Sequence, residues 1–268
     1  MTEAGVYLGL YLILGAFAGL TAGLLGVGGG LIIVPALASL YLLQGISSDI
    51  IMHLALATSL ATIVVTSLSS VRAHHHHQAV LWPVFWQLTP GILIGAWLGG
   101  WLAGQISTQW LKPVFGCFEL SVAIYMLLDK PVSAHRNLPG KWVMSIAGSA
   151  IGSLSAIVGI GGGTLTVPFL NWNNIQLRQA IGTSAACGLP IAMAGALAYI
   201  MTGWQHADLP AYTLGYVHLP AFLGIIISSA LFAPLGAKLT HNLPIKIIKK
   251  IFALFLLVVA IKLLLTEF

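Results

Sequence analysis

GLLGVGGGLIIVPAL, residues 23–37, places Gly26, Gly28, Gly29, Gly30 and then Pro35 in the middle of the first apolar region of the chain. Glycine and proline interrupt helices, so their concentration here needs a reason. The stretch recurs. Residues 155–170 read SAIVGIGGGTLTVPFL, so Gly26, Gly28, Gly29, Gly30, Val34 and Pro35 return as Gly159, Gly161, Gly162, Gly163, Val167 and Pro168.

The surroundings are those of a membrane. Across 268 residues 58% are hydrophobic and 6% charged, which leaves too few polar side chains to cover a water-soluble globule. Apolar runs long enough to cross a bilayer lie at 6–25, 50–71, 82–104, 110–128, 141–158, 179–202, 215–236 and 247–265. They leave no room for a soluble domain. The start, MTEAGVYLGLYLILG, has Glu3 and no basic region, and reads as a retained helix rather than a cleaved signal. Cys117 and Cys187 lie inside apolar spans without metal-ligand spacing and read as packing residues. The formal net charge of +5 comes from basic residues in short connections, which signals topology and not a nucleic-acid partner.

Other landmarks follow the glycines in the same order. His53–Ser59 (HLALATS) matches Arg178–Ser184 (RQAIGTS), and LGGWLAGQIS at 98–107 matches LGAKLTHNLP at 235–244. Lys112 and Phe115 correspond to Lys249 and Phe252. The chain therefore divides into two homologous halves, 1–130 and 141–268, joined by a connection at 131–140.

Charge decides their relative direction. If each glycine motif lies in a hairpin, one membrane face collects Arg72, Lys130, Arg136, Lys141, Arg178, Lys238, Lys246, Lys249 and Lys250, nine of the eleven basic residues. Treating 6–25 as the only crossing before residue 44 divides the same residues six against five, a balance that orientation signals rarely show. The hairpin arrangement gives each half an odd number of crossings. The halves are then inverted, the basic face is cytoplasmic and both termini are extracytoplasmic. The expected fold is an all-α polytopic membrane protein of two inverted repeats, each a glycine-rich broken-helix hairpin plus three transmembrane helices, with about 8–10 membrane segments. Residues 31–43 rise only about 20 Å as a helix, which favours a partial crossing.

Inverted repeats with interrupted helices at matching positions are the pattern of secondary transporters. Unwound backbone is tolerated at membrane depth where it is buried in protein or lines a polar cavity. A short helix is expected near each proline, with Gly28–Gly30 and Gly161–Gly163 as its unwound lead-in, so that free amides and the positive end of the helix dipole favour an anion. The competing reading is close helix packing, which is the default for single glycines such as Gly15, Gly95 and Gly99. Leu31 and Thr164 occupy the last position of a would-be G-x-G-x-x-G, and no βαβ unit surrounds it, which excludes a nucleotide fold.

Thr58, Ser59, Thr183 and Ser184 are a second matched set, able to donate to an anion without a buried charge or to bond back to their own helices. His53 and Arg178, one to two turns earlier, either attract an anion or, as position favours, snorkel to the interface. Glu119 sits mid-span, and its repeat partner is Leu256. It is a candidate for carrying a coupling proton or balancing a cation, or for a neutral structural role. The run His74–His77 lacks the spacing of a metal site. Trp82, Trp86, Trp97, Trp101 and Trp110 read as interfacial or packing residues.

The duplicated G-x-GGG-x-x-x-VP, the following T-S pair as in AIGTSAA, and the closing LP-x-K-x-x-K-K-x-F-A-L-x-L together resemble the sulfite exporter TauE/SafE family over nearly the whole chain. The first half departs mildly, with His53 for Arg178 and ALATSLA for AIGTSAA. The resemblance implies a secondary transporter of small sulfur-containing anions such as sulfite or sulfonates in the inner membrane, with no metal, cofactor or enzymatic chemistry. Its partners are the anion and the lipid bilayer, and the oligomeric state stays open, a homodimer included. An anion channel and an ion-coupled uptake carrier are the alternatives; an enzyme would need a buried nucleophile and base within reach of one another, and no convincing pair stands out.

Overall fold

The computed structural model describes residues 3–26, 28–128, 138–204, 206–240 and 245–266. The chain is nearly all helical: α1 (Glu3–Leu25), α2 (Gly30–Leu43), α3 (Ile51–His76), α4 (Trp82–Ala103), α5 (Thr108–Leu128), α6 (Lys141–Val158), α7 (Gly163–Trp172), α8 (Leu177–Gly203), α9 (Leu219–Thr240) and α10 (Ile245–Leu265). A hairpin of β1 (Thr213–Leu214) and β2 (Val217–His218) joins α8 to α9. In lipid only helices or closed barrels satisfy every backbone group, so these apolar segments become helices irrespective of internal prolines such as Pro90, Pro190 and Pro234. Among the described residues, α1, α3, α5, α6, α8 and α9 are long and apolar enough to cross a membrane. Outward-facing Ile13, Ile94, Ile146, Leu231 and Val258 are each more than half exposed, as suits a lipid contact. The protein is a multi-pass membrane protein.

The elements pack in matched pairs. Helix α1 lies along α9 as α6 lies along α4, α2 rests on α3 as α7 rests on α8, α3 packs against α8, and α5 pairs with α10. Helix α2 returns along α1: the Gln44 amide donates to the Tyr11 hydroxyl at 2.7 Å, and the Tyr7 hydroxyl to the Leu43 carbonyl at 3.4 Å. The connection after α2 therefore lies at the end of the bundle where α1 begins, called here the near end. The Lys112 ammonium at the start of α5 bonds the Thr266 carbonyl after α10, so these two meet at the near end as well. At the opposite, far end, the His74 imidazole lies 3.1 Å from the Gly23 carbonyl. Much of the inter-repeat connection, with Lys130 and Arg136, lies outside the described residues, as do the side chain of Lys246 and Val27 of the first glycine motif.

Small residues set the helix spacing. Gly15, Gly19 and Gly23 of α1 press on the backbone of Ile225, Ser229 and Ala233 of α9. Gly91, Gly95 and Gly99 of α4 do the same to Ser145, Ser149 and Ser153 of α6. Steps of four residues keep each set on one face, and the missing side chains let the backbones approach. The default reading of Gly15, Gly95 and Gly99 as packing residues matches this.

Four expectations change. The short helices begin at Gly30 and Gly163, five residues before Pro35 and Pro168, because a left-handed glycine starts each helix one turn earlier than the prolines suggest. The expected span at 215–236 starts at Leu219, since residues 213–218 fold into the hairpin. His74–His76 form the last turn of α3 rather than a connection. Cys187 is buried as expected, but Cys117 faces outward from α5.

Gly19 leaves no room for a side chain, whereas nothing approaches within 4 Å of where a Cβ at Gly9 would stand. Gly19→Leu is therefore expected to destabilise the purified protein by about 1–3 kcal/mol, read as a lower melting temperature in detergent, with Gly9→Leu close to wild type.

Candidate substrate site

Each glycine motif reverses the chain inside the bundle. Gly26 (φ 67°) and Gly159 (φ 69°) end α1 and α6 in the left-handed conformation, and Gly29 (φ 80°) and Gly162 (φ 75°) adopt it again as N-caps of α2 and α7. Glycine meets this requirement without strain. Gly28 (φ 81°) adds a third left-handed residue to the first motif.

The two reversals touch. A Cβ on Gly28 would stand 2.9 Å from the Gly161 Cα, and one on Gly30 would stand 2.5 Å from the Gly159 carbonyl oxygen. The amides of Ile32 and Ile33 turn back to the Gly29 carbonyl, both at 3.0 Å, and those of Leu165 and Thr166 to the Gly162 carbonyl at 3.0 and 2.7 Å. The amides before them, at Gly30 and Leu31 and at Gly163 and Thr164, have no preceding turn to bond. Two helix N-termini thus bring donors without a helical partner among the described residues, and positive dipole ends, to the middle of the bundle. Helices α2 and α7, 14 and 10 residues long, are too short to cross a bilayer fully.

The Thr–Ser pairs brace this crossing. The Ser59 hydroxyl donates to the Gly159 carbonyl at 2.8 Å, and Ser184 donates to the Gly26 carbonyl at 3.2 Å. The Thr58 oxygen accepts the amide of His218 at 3.0 Å, and Thr183 accepts the amide of Leu81 at 2.9 Å. Each pair reaches into the opposite half, tying the end of its first helix and the start of its fourth. Neither serine bonds back to its own helix. Both commit their single proton to a carbonyl, whereas Thr58, which also accepts from Tyr41 at 3.4 Å, and Thr183 keep theirs to donate.

Beside the crossing runs a crevice lined by Ala22, Gly26, Gly28, Thr66, Ser67, Ser70, Gly161 and Ala185, too narrow to admit a water molecule. The sequence reading did not single out Thr66, Ser67 or Ser70. Nor did it single out Ser155, Thr164 and Thr166, buried hydroxyls without a hydrogen-bond partner among the described residues. The available signal was GGGTLTVP set against GGGLIIVP, where two threonines replace apolar residues.

The other candidates lie elsewhere. His53 is buried at the near end, stacked on Tyr216 of the hairpin with ring centroids 4.8 Å apart, and so does not snorkel. Arg178 is exposed at the start of α8. Glu119 is fully buried on α5, and neither carboxylate oxygen has a hydrogen-bond partner among the described residues. No group of three or more His, Cys, Asp or Glu residues suited to a metal occurs among the described residues.

The hairpin seals the near end. Tyr216, Val217 and His218 are buried, and β2 packs on α3, α8 and α9. His218 sits edge-on to Tyr41, with ring centroids 5.3 Å apart, and burial pushes its imidazole pKa down to about 4.

Comparison with known proteins agrees with this architecture. The family model described as "Sulfite exporter TauE/SafE" matches residues 11–263. A Haemophilus influenzae protein named "Probable membrane transporter protein" is 39% identical over 94% of this chain and 96% of its own length. A similarly named protein of Methanocaldococcus jannaschii is 28% identical over 87% of this chain and 86% of its own. No solved structure matches.

Two predictions follow from these bonds. Thr183→Val strands the Leu81 amide and Thr58→Val the His218 amide, so each is expected to cost about 1–3 kcal/mol in denaturation assays. Because the folded-state pKa of His218 lies below its unfolded value of about 6.5, its contribution is complete above that pH and is lost as pH falls towards about 4. The melting temperature is expected to fall over that window, and less so in His218→Phe.

Proposed function

We propose that this chain, which belongs to the sulfite exporter TauE/SafE family, carries small sulfur-containing anions such as sulfite or a sulfonate out across the inner membrane by alternating access. Its family and its relatives are membrane transporters, not enzymes. The observation that carries the anion reading is the meeting of two left-handed glycine caps at the bundle centre, with the first-turn amides of α2 and α7 beside them. Such a site offers partial positive charge and donors, and glycine lets a ligand approach the backbone. Gly28–Gly30 and Gly161–Gly163 hold the anion through these amides, Thr58 and Thr183 add hydroxyl donors, and Ser59 and Ser184 hold the two motifs in place.

The halves are read as inverted, with the near end and both termini extracytoplasmic. The return of α2 to the near end supports the hairpin arrangement that gathers nine of eleven basic residues on one face. One half then rocks against the other around a fixed site. Efflux of an anion runs with a membrane potential negative inside, worth about 2.3 kcal/mol per charge at 100 mV, so export needs no coupled ion. An uptake carrier would need one, and buried Glu119 is where a coupling proton would be sought first.

The test is counterflow of radiolabelled sulfite and a small sulfonate in proteoliposomes. Saturable exchange is expected, lost in Gly162→Leu and kept in Gly140→Leu, where a side chain meets open space. Flux that never saturates or exchanges would make the protein a channel. Unchanged exchange in Gly162→Leu would return the glycines to a packing role.

A further inference from the structure

We infer that the hydroxyls of Thr66, Ser67 and Ser70, together with the backbone at Gly28 and Gly161, form the loading site that the anion enters from the far end, while Leu60 and Ile191 close the equivalent route from the near end. This rests on the transport reading above and names the residues that take up its substrate.

The argument starts from register. Helices α3 and α8 correspond residue for residue from Thr58–Ser59 and Thr183–Ser184, an offset of 125. Thr66, Ser67 and Ser70 therefore match Ile191, Ala192 and Gly195, and Ala185 matches Leu60. If these positions served only to pack two equivalent halves, both sides of the crossing would be lined alike. They are not. Towards the far end the lining is three hydroxyls with the small Ala22 and Ala185. On the matching side, Ser155 stands where the far end has Ala22 and, like Thr166, lies 3.4 Å from where a Cβ on Gly162 would stand, but the Ile191 side chain presses on Gly162 and a Leu60 methyl lies 2.9 Å from where a Cβ on Gly195 would stand, so apolar bulk fills this side. Leu60 and Ile191 are both fully buried.

The hydroxyls are arranged for a ligand. Thr66 shares a hydrogen bond of 3.0 Å with Ser229 and one of 3.0 Å with the Thr62 carbonyl. Ser70, only 2% exposed, has no partner for its hydroxyl among the described residues. A buried hydroxyl without a partner is costly in a packed interior, more so in a membrane protein. No acidic side chain lines the crevice, so its donors face no competing negative charge. Uncharged donors beside backbone that a Cβ would block suit a compact oxyanion.

One turn beyond Ser70, His74 ties α3 to the Gly23 carbonyl of α1 at 3.1 Å. Entry of an anion therefore requires α1 and α3 to part at the far end, while the near end stays shut behind Leu60, Ile191 and the β-hairpin.

Ser70→Ala removes a hydroxyl that has no partner among the described residues, so the fold is kept and only the ligand loses a donor. In inside-out vesicles, Ser70→Ala and Ser67→Ala are each expected to raise the half-saturating sulfite concentration about tenfold, the loss of one hydrogen bond to an anion, with maximal rate and melting temperature near wild type. In a chain with Cys117 and Cys187 replaced by alanine, Ser70→Cys is expected to react with a membrane-impermeant thiosulfonate from the cytoplasmic face and to be slowed by a small sulfonate. Ile191→Cys is expected not to react from that face. Unchanged half-saturation in both alanine variants, or labelling of Ser70→Cys from the extracytoplasmic face alone, would overturn the assignment. A wild type that moves neither anion would overturn the transport reading instead; labelling of Ser70→Cys indifferent to face and to both anions would overturn this one independently.

Discussion

The structure depends on the need to bury two backbone reversals where no water can satisfy them. Between the end of α1 and the start of α2, and again between α6 and α7, the chain abandons helical hydrogen bonding deep in the bundle. Exposed to lipid, each unpaired amide or carbonyl would cost several kcal/mol, of order the net stability of a small domain. The protein meets the constraint by placing the two breaks against each other, close enough that Gly28 and Gly161 exclude side chains from the contact. The leftover carbonyls are answered by serines from the opposite half. The first amides of α2 and α7, without a helical partner among the described residues, are the donors that the proposed anion would take up.

That solution explains why the two halves are alike in backbone and unlike in lining. The reversals, the bracing Thr–Ser pairs and the glycine ladders recur because each half presents the same geometric problem. The surfaces leading away from the crossing are under no such demand. On α3 they carry Thr66, Ser67 and Ser70, and on α8 they carry Ile191, Ala192 and Gly195. A symmetric frame with an asymmetric lining gives a carrier two different faces while leaving its hinge the same.

Much of this was legible in the sequence because helix-breaking residues in an apolar chain have few explanations. The paired GGG and VP landmarks located both hairpins. The helix starts were misplaced because proline at a first turn is a familiar signal, whereas a left-handed N-cap glycine is invisible without the backbone angle. The β-hairpin was missed for a different reason: strands of two residues inside YTLGYVHL show no periodicity to read. The roles of Ser59 and Ser184 were out of reach because their acceptors lie 100 and 158 residues away along the chain. The crevice hydroxyls carry no repeat signal, because Thr66, Ser67 and Ser70 stand where the two halves differ.

The cross-bracing also bears on how the protein is made. Helix α1 finds its main partner in α9, and Thr58 finds the amide it caps in His218, both made long after the first half. The first five helices enter the membrane with their glycine-lined faces and their hydroxyl pair unmatched, and must wait there for the second five. Assembly is therefore a late, long-range event that closes both halves together, and the interval before it is when the young chain is open to capture by other apolar surfaces. The first GGG reversal, at Gly28–Gly30, has no shelter until the second, at Gly161–Gly163, has been made.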